Sequence, residues 1–363
     1  MVKQLYPRLE INLQYLRENV EQMVKRAEER GIEIIGVVKG TTGLVPCVQQ
    51  FLAGGCTKLA SSRLEQIEDC QTAGLDVPYL LLRVPMLTEV PEVIRLCDYS
   101  LNSEIRVLRA LNEEAGRQGK IHRPIIMADL GDLREGYWDH DEMVDVCCQV
   151  ENEMDNLELA GVGVNLGCYG SILATADKLQ ELVDIARRVE ERIGRKLEYV
   201  SGGATSSLMR ILDGDMPEGV NMLRCGEGIL LSQDLDRFYG YDVSYMHEDV
   251  YTLKAEVIEV KTKPTHPVGT ITVDAFGHKP VYEDRGMRRR ALLGIGNVDC
   301  GNYQELTPRD AGIDMVGASS DHTIIDVEDA ERSVEVGDIL SFDVDYASLC
   351  YLTNCRNVHI VYV

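Results

Sequence analysis

The sequence predicts an α/β protein, built as a (β/α)8 TIM-type barrel followed by a C-terminal all-β domain. Over the first ~235 residues, short apolar runs alternate with amphipathic helical patterns about eight times, as expected for such a barrel. The runs end in polar residues, where barrels of this type carry their functional groups. From about Tyr241 the pattern changes to short β-rich runs. We therefore expect a barrel over residues 1–240 and a β-domain over residues 241–363.

The first barrel elements are a helix over Leu9–Arg30 and a strand over Ile34–Lys39. The run from Ile34 to Val38 is short and rich in β-branched residues, which is typical of a parallel strand buried on both faces. Lys39 ends this strand. A desolvated lysine at such a position is a nucleophile suited to forming a Schiff base, and the alternative is a lysine that leaves the sheet for solvent.

Polar residues also end the later strands of the predicted barrel. The full set is Lys39, Arg83, Asn102, Arg134, Asn165, Ser201 and Arg224. Helical patterns such as Val45–Ala53 and Glu104–Gln118 separate the strands. A doubly wound open sheet is the competing architecture, but no Rossmann-type glycine fingerprint follows the first strand.

The predicted β-domain rests on five short runs: Thr252–Val260, Arg290–Ile295, Asp321–Val327, Ile339–Val344 and Val358–Val363. The first run alternates apolar and polar residues, as a half-buried strand does. Glycine, proline and aspartate separate the runs, which favours an all-β fold for this part of the chain.

Composition restricts the partners of the protein. A formal charge of -23 disfavours nucleic acid and anionic membrane surfaces, because their phosphates would be repelled. No apolar run is long enough to span a membrane, and the N-terminus has no signal-like apolar region. The eleven cysteines form no metal-type CxxC pairs, so we expect reduced thiols in a cytoplasmic protein.

Two adjacent strand ends form a candidate phosphate site. In the segment from Ser201 to Ser207, glycines allow close approach to an anion, and the hydroxyls of Thr205 and Ser206 add donors. The alternative is a glycine-rich turn with a helix cap. The segment from Arg224 to Gly228 ends the next strand, and a phosphate on the last two strands is common in barrels. With Lys39 on the neighbouring first strand, this indicates a phosphorylated aldehyde cofactor held by a Schiff base.

Five motifs occur in order on these strand ends. They are Val37-Val38-Lys39, the D-x-G-x-x-R-x-G segment Asp129–Gly136, the strand Gly161–Asn165, Arg224-Cys225-Gly226, and Tyr346–Cys350. With them the chain resembles, over essentially its whole length, the alanine racemase-type (fold type III) pyridoxal-phosphate enzymes. Within that family it is most similar to the alanine/ornithine racemase branch.

The resemblance implies a role for each matched residue. Lys39 would bind pyridoxal 5'-phosphate and act as one of two bases, and Arg134 would support the cofactor phenolate and the substrate carboxylate. Asn165 stands where alanine racemases carry a histidine against the ring, and Arg224 would bond the ring nitrogen. The resemblance also implies that Gly226 and Tyr346 help to hold the phosphate, together with Thr205, Ser206 and Glu227 of the candidate phosphate site.

The arginine at the ring nitrogen favours racemisation. A guanidinium only donates hydrogen bonds, so the ring nitrogen facing Arg224 cannot become a full pyridinium. The substrate carbanion is then less delocalised, which limits side reactions. Fold type III decarboxylases resemble this architecture but place a carboxylate there, so Arg224 argues against decarboxylation.

The sequence departs from the family pattern at two tyrosines. Alanine racemases follow the lysine with A-N-A-Y, whereas this chain has Gly40-Thr41-Thr42-Gly43. Their second base is a tyrosine of the partner subunit in G-Y-x-D-G, and Asn297 occupies its place here. Asparagine is no general base, which leaves Cys300, Asp299 or Tyr303 for the role. Cys300 is slightly favoured as a potential thiolate, with ordinary packing as its alternative.

The resemblance implies a racemase that interconverts L- and D-ornithine, or a similar diamino acid, by proton transfer at Cα. Asp299, Glu305 or Asp321 could pair with the side-chain ammonium of such a substrate. Alternatives are an alanine or broad-specificity racemase and a non-catalytic pyridoxal-phosphate protein, which would resemble the barrel alone. The family also implies a homodimer with shared active sites.

Overall fold

The computed structural model describes residues 5–273, 277, 279 and 281–363. The chain divides into two compact units, one formed by Leu16–His247 and the other by Met1–Tyr15 together with Glu248–Val363. The expected division at residue 240 had placed the N-terminal segment with the barrel. The structure differs because this segment carries a strand that pairs within the second unit.

The first unit is a closed barrel. It is preceded by β1 (Arg8–Ile11), which belongs to the second unit, and by α1 (Leu13–Glu28). The barrel strands β2 to β9 are Glu33–Val37, Leu59–Ser61, Tyr79–Leu81, Tyr99–Asn102, Arg123–Ala128, Gly161–Val164, Tyr199–Ser201 and Met222–Cys225. All pair in parallel with their neighbours in chain order, and β2 pairs with β9 to close the ring. The predicted eight-stranded (β/α)8 barrel is confirmed.

Helices separate the barrel strands, as right-handed parallel connections require. They are α2 (Val45–Ala53), α3 (Leu64–Thr72), α4 (Val90–Leu96), α5 (Ile105–Gln118), α6 (His140–Glu153), α7 (Ala176–Ile193) and α8 (Leu208–Asp213). Two short helices, α9 (Glu227–Leu230) and α10 (Gln233–Tyr239), follow β9. A buried cluster that includes Ile35, Leu101 and Met127 forms the barrel core.

The second unit is a mostly antiparallel β-structure. Its strands after β1 are β10 (Tyr251–Pro264), β11 (Met287–Leu293), β12 (Leu306–Pro308), β13 (Asp314–Ala318), β14 (Thr323–Asp326), β15 (Ile339–Val344) and β16 (His359–Tyr362). Their order is β12-β15-β10-β11-β14-β13, and β1 pairs with both β10 and β16. The predicted β-domain is confirmed, with two added helices, α11 (Asn297–Cys300) and α12 (Tyr346–Asn354).

The predicted start of the first helix at Leu9 was wrong, because residues 8–11 form β1 and the helix begins at Leu13. Leu9 and Ile11 are fully buried, and the register places Leu9 opposite both Leu253 and Ile360. These partners lie far along the chain, so local periodicity did not reveal the strand. In the part of the chain that the structure describes, no helix is both long and apolar enough to cross a membrane.

Candidate active site

The C-terminal ends of the barrel strands gather the residues predicted for the site, because parallel strands all end on the same side. Lys39 follows β2, Arg134 follows β6, Asn165 follows β7, Thr205 and Ser206 follow β8, and Arg224, Gly226 and Glu227 lie at the end of β9. The pairing of β2 with β9 sets Ile35 opposite Arg224. A Cβ atom on Gly226 would lie 2.8 Å from the carbonyl oxygen of Val37, so only glycine lets these two strand ends meet.

Arg224 is deeply buried, with 3% of the residue exposed. Its Nη1 donates to Ser201 Oγ, and its Nη2 donates to the carbonyl oxygen of Val164 at 2.9 Å. Among the described residues it forms no ion pair with a carboxylate. Burial lowers the pKa of Arg224 to about 10. A buried cation with only neutral partners is costly, which indicates that a ligand completes its surroundings.

Asn165 supplies a second sign of a missing partner. The residue is 8% exposed, and its Nδ2 is buried without a hydrogen-bond partner among the described residues. It directly follows Val164, the residue that accepts a hydrogen bond from Arg224. An unsatisfied buried donor costs about 1–3 kcal/mol, so this position fits a ligand that offers an acceptor.

The loops that follow β8 and β9 are bonded to each other. Thr205 Oγ1 accepts the backbone N–H of Gly228 at 3.1 Å and keeps its own proton available for another acceptor. Ser206 Oγ instead donates to the carbonyl oxygen of Leu166 at 2.7 Å. The chain turns into a 3₁₀ segment at Thr205–Ser207, and the first N–H groups of such a turn lack an acceptor within it. Backbone amides and the Thr205 hydroxyl are therefore the donors offered to an anion here.

The loop that carries Arg134 owes its shape to the spacing of its motif. Asp129 Oδ1 accepts the N–H groups of Gly131 at 2.9 Å and Leu133 at 3.1 Å. Gly136 has φ +133°, and a Cβ atom there would lie 2.5 Å from the backbone nitrogen of Asp129. Arg134 itself is exposed and donates two hydrogen bonds to the Glu135 carboxylate, which raise its pKa.

Lys39 and Glu227 lie within electrostatic range of each other. Burial raises the pKa of the Glu227 carboxyl, and the Lys39 ammonium opposes that shift. Lys39 begins a short 3₁₀ turn directly after β2 and is exposed, so its amine is accessible for covalent chemistry. The predicted anchor therefore stands next to the strand that carries Arg224.

In the second unit, Asp299 and Cys300 both face inward. Asp299 Oδ2 accepts the N–H of Gly296 at 3.0 Å, and Oδ1 accepts from Asn357 Nδ2 at 3.1 Å and from Cys355 Sγ at 3.5 Å. Cys300 is fully buried and donates to the carbonyl oxygen of Gly296 at 3.3 Å. Burial raises the pKa of its thiol to about 12. These contacts favour the packing alternative for Cys300 and a structural role for Asp299.

The other candidates of the second unit are more accessible. Tyr303 is half-buried, and its hydroxyl donates a long hydrogen bond of 3.5 Å to Val316. Asp321 is exposed and accepts a hydrogen bond from Ser320 Oγ at 2.7 Å. Tyr346 is half-buried at the start of α12. All three are more exposed than Asp299 and Cys300.

Two residues of the barrel site make contacts that the sequence analysis did not predict. Ser201 was recognised as a strand end, but not as the acceptor for Arg224. Asp132 lies inside the arginine motif and is almost fully buried. Its backbone partners are in the loop after β7, so no local pattern pointed to it.

Comparison with known proteins identifies the family. The model for "Alanine racemase, N-terminal domain" matches residues 11–233. An ornithine racemase from Acetoanaerobium sticklandii is 40% identical over 345 residues, which cover 95% of this chain and 96% of the relative. The chain belongs to the alanine racemase family. A second member, a lysine racemase from Thermotoga maritima, is 37% identical, and the match covers 95% of both chains.

Solved structures of the alanine racemase family share the fold. The alanine racemase from D-cycloserine-producing Streptomyces lavendulae superposes with a TM-score of 0.75 at 20% identity, and the match covers 99% of this chain and 98% of that one. At this identity the likeness shows the fold alone. The assignment of the chain as a racemase rests on the two full-length relatives.

Proposed function

We propose that this protein is a pyridoxal-phosphate-dependent racemase that interconverts the L and D forms of ornithine or a similar diamino acid. One observation carries the proposal: similarity over 95% of the chain to a racemase of ornithine and to a racemase of lysine. Both named substrates carry a second amino group, which alanine lacks. Alanine or broad-specificity racemisation is the second candidate, favoured by the family match alone.

The barrel residues fit the cofactor of this family. Asn165 Nδ2 is buried without a partner among the described residues, and the hydrogen bonds of the Arg224 guanidinium go to neutral oxygens. A pyridine ring with polar substituents offers acceptors to both. The backbone at Ala204–Ser206, the Thr205 hydroxyl and Gly226 would hold its phosphate, and Lys39 would bind it covalently. When bound, the cofactor supplies a conjugated system that spreads the negative charge developing at the substrate Cα.

Three residues of the barrel would then have separate functions in the reaction. Lys39 Nζ takes or returns the Cα proton on one face of the substrate. Arg224 would donate a hydrogen bond to the ring nitrogen of a bound cofactor without protonating it, because a guanidinium is not a general acid near neutral pH. Arg134 would orient the substrate carboxylate through the guanidinium donors that remain, because its Nε and one Nη2 hydrogen are bonded to Glu135.

We assign the second base to Tyr303 of the partner subunit, in a homodimer with shared active sites. The two competing candidates have reasons to be inert, since Asp299 accepts three hydrogen bonds and the Cys300 thiol has a raised pKa. The Tyr303 phenol is half-buried and held by one long hydrogen bond. Tyr346 would add a donor to the phosphate.

Asp321 is our candidate for binding the side-chain ammonium of the substrate. Its carboxylate is exposed, whereas both oxygens of Asp299 are bonded within their own unit. The N–H of Asn297 donates to the carbonyl oxygen of Ser319 at 3.0 Å, which keeps Asp321 next to the segment that precedes Tyr303.

A racemisation screen with alanine, serine, ornithine, lysine and arginine tests the proposal. We expect the highest kcat/KM with ornithine or lysine, and uptake of solvent deuterium at Cα from either enantiomer. Lys39→Ala should abolish racemisation and borohydride trapping of the cofactor, while Lys25→Ala, an exposed lysine of α1, should leave both unchanged. Higher turnover of alanine would favour the second candidate. Cofactor binding without turnover of any amino acid would contradict both.

A further inference from the structure

The carboxylate of Asp132 is buried and saturated with backbone donors. The residue is 1% exposed. Its Oδ1 accepts the N–H groups of Gly167 at 2.9 Å and Gly170 at 3.1 Å, and its Oδ2 accepts the N–H of Tyr169 at 3.1 Å. Hydrogen bonds to an ionised carboxylate are about twice as strong as neutral ones. Asp132 therefore attaches the loop after β7 to the loop after β6.

The loop after β7 is held from its other side as well. Ser206 Oγ donates to the carbonyl oxygen of Leu166 at 2.7 Å. A Cβ atom on Gly167 would lie 3.2 Å from the Cβ of Ser206, and one on Gly170 would lie 2.8 Å from the carbonyl oxygen of Asp132. The glycines thus let the neighbouring loops approach closely. Three consecutive loops at the rim of the barrel form one bonded unit.

This unit contains residues with different roles in the proposed site. The loop after β6 carries Arg134, the loop after β7 begins with Asn165, and the loop after β8 carries Ser206. Arg134 is bonded through its side chain only to the adjacent Glu135 among the described residues. Its position relative to the other two loops must come from its backbone. Asp132, two residues before it, makes the hydrogen bonds that set that backbone against the next loop.

We propose that Asp132 is a positioning residue for the racemase reaction. By accepting three N–H groups from the loop after β7, it holds Arg134 at a set distance from Asn165. The proposal rests on the proposed function, because it assumes that Arg134 orients the substrate carboxylate. Asp132 itself does not touch the reacting atoms. Loss of the Asp132 carboxylate should weaken substrate binding and leave the cofactor bound.

The loop offers a readout that is independent of activity. Tyr169 is 70% exposed, so its ring is available to a protease once the backbone around it opens. In the intact protein its N–H is tied to Asp132. Chymotrypsin cleavage after Tyr169 therefore measures how often the loop after β7 separates from Asp132.

The test compares Asp132→Asn with Asp139→Asn in the full-length holoenzyme. Asparagine keeps the size of the side chain but replaces one acceptor oxygen with a donor that faces backbone N–H. Asp139 also accepts two backbone N–H groups, at 2.9 and 3.1 Å, but at the start of α6, where asparagine is an equally good cap. Asp132→Glu is a milder second variant that keeps the charge with a longer side chain.

For Asp132→Asn we expect cleavage after Tyr169 at least tenfold faster, and kcat/KM at least tenfold lower with most of the change in KM. Bound cofactor should stay near one per chain. For Asp132→Glu, the cleavage rate and kcat/KM should lie between those of the parent protein and those of Asp132→Asn. Faster cleavage with unchanged kinetics would reduce Asp132 to a structural role and overturn the proposal, as would unchanged cleavage. If the parent protein racemises no amino acid, the proposed function fails, and the substrate role of Asp132 fails with it. The cleavage rates would still show whether Asp132 holds the loop after β7 in place.

Discussion

Arg224 donates a hydrogen bond from Nη2 to the carbonyl oxygen of Val164, 2.9 Å away, and so joins the end of β9 to the end of β7. The same guanidinium also donates to Ser201 Oγ on β8. Three barrel strands therefore fix a single cation at the mouth of the barrel. The orientation of Arg224 therefore depends on partners from two neighbouring strands. Substitution of one partner at a time tests the contribution of each.

Ser201→Ala should weaken the site through Arg224. Removal of the hydroxyl leaves a buried charged donor without its acceptor, which costs about 1–3 kcal/mol. We expect a lower unfolding midpoint in urea and faster release of bound cofactor. Ser207→Ala is the matched control, since its hydroxyl donates to Gly202 and does not contact Arg224. Equal cofactor release from the two variants would contradict the role given to Ser201.

Gly226→Ala should disturb the junction of β2 and β9. The added Cβ would lie 2.8 Å from the carbonyl oxygen of Val37, and the backbone cannot yield cheaply. Overpacking of this kind costs about 1–3 kcal/mol. We expect a lower thermal midpoint together with reduced cofactor content. Gly317→Ala, whose Cβ would meet only Ile324 at 3.8 Å, should change neither measurement.

Tyr303→Phe separates the candidates for the second base. Loss of a general base lowers kcat by about 10²–10⁴-fold. We expect a fall in this range for Tyr303→Phe, with deuterium uptake at Cα becoming unequal for the two enantiomers. Cys300→Ser should retain activity within a few-fold, because its buried thiol has a raised pKa. The reverse result would return the role to Cys300.

His122 predicts an acid-sensitive barrel. Burial lowers its pKa to about 4, and its ring bonds Ser100 Oγ at 2.7 Å and the carbonyl oxygen of Cys97 at 3.2 Å. Between the unfolded value of about 6.5 and the folded value, the unfolded chain binds more protons, so stability falls as the pH falls through this window. The expected loss is about 3 kcal/mol by pH 4.

Urea unfolding measured between pH 4 and 7 tests this prediction. His122→Gln should flatten the slope of stability against pH in the window, whatever its effect at pH 7. His359→Gln, which alters an exposed histidine of β16, should leave the slope as in the parent. An unchanged slope in His122→Gln would show that other groups control acid unfolding.

The barrel could be predicted from local patterns because each strand–helix unit repeats the same alternation of short apolar runs and amphipathic helices. Lys39 and Arg224 followed from this alternation, since polar residues interrupt buried strands only at their ends. The spacing of Asp129, Gly131, Arg134 and Gly136 also corresponds to observed contacts within one loop. Features that depend on neighbours along the chain could therefore be predicted from the order of residues alone.

Features that depend on distant partners were not predictable in this way. β1 was mistaken for the start of a helix because the strands that pair with it come after the barrel. The buried positions of Asp299 and Cys300 depend on Asn357 and Gly296, which no motif connects to them. The role proposed for Asp132 depends on the loop after β7, where the backbone nitrogens of Tyr169 and Gly170 lie 3.1 Å from its carboxylate oxygens. The sequence by itself determined the order of strands and the residues at their ends, because both arise from short-range periodicity. The tertiary structure alone decided which of those residues bond one another, because hydrogen bonds form between groups that folding brings together from distant parts of the chain.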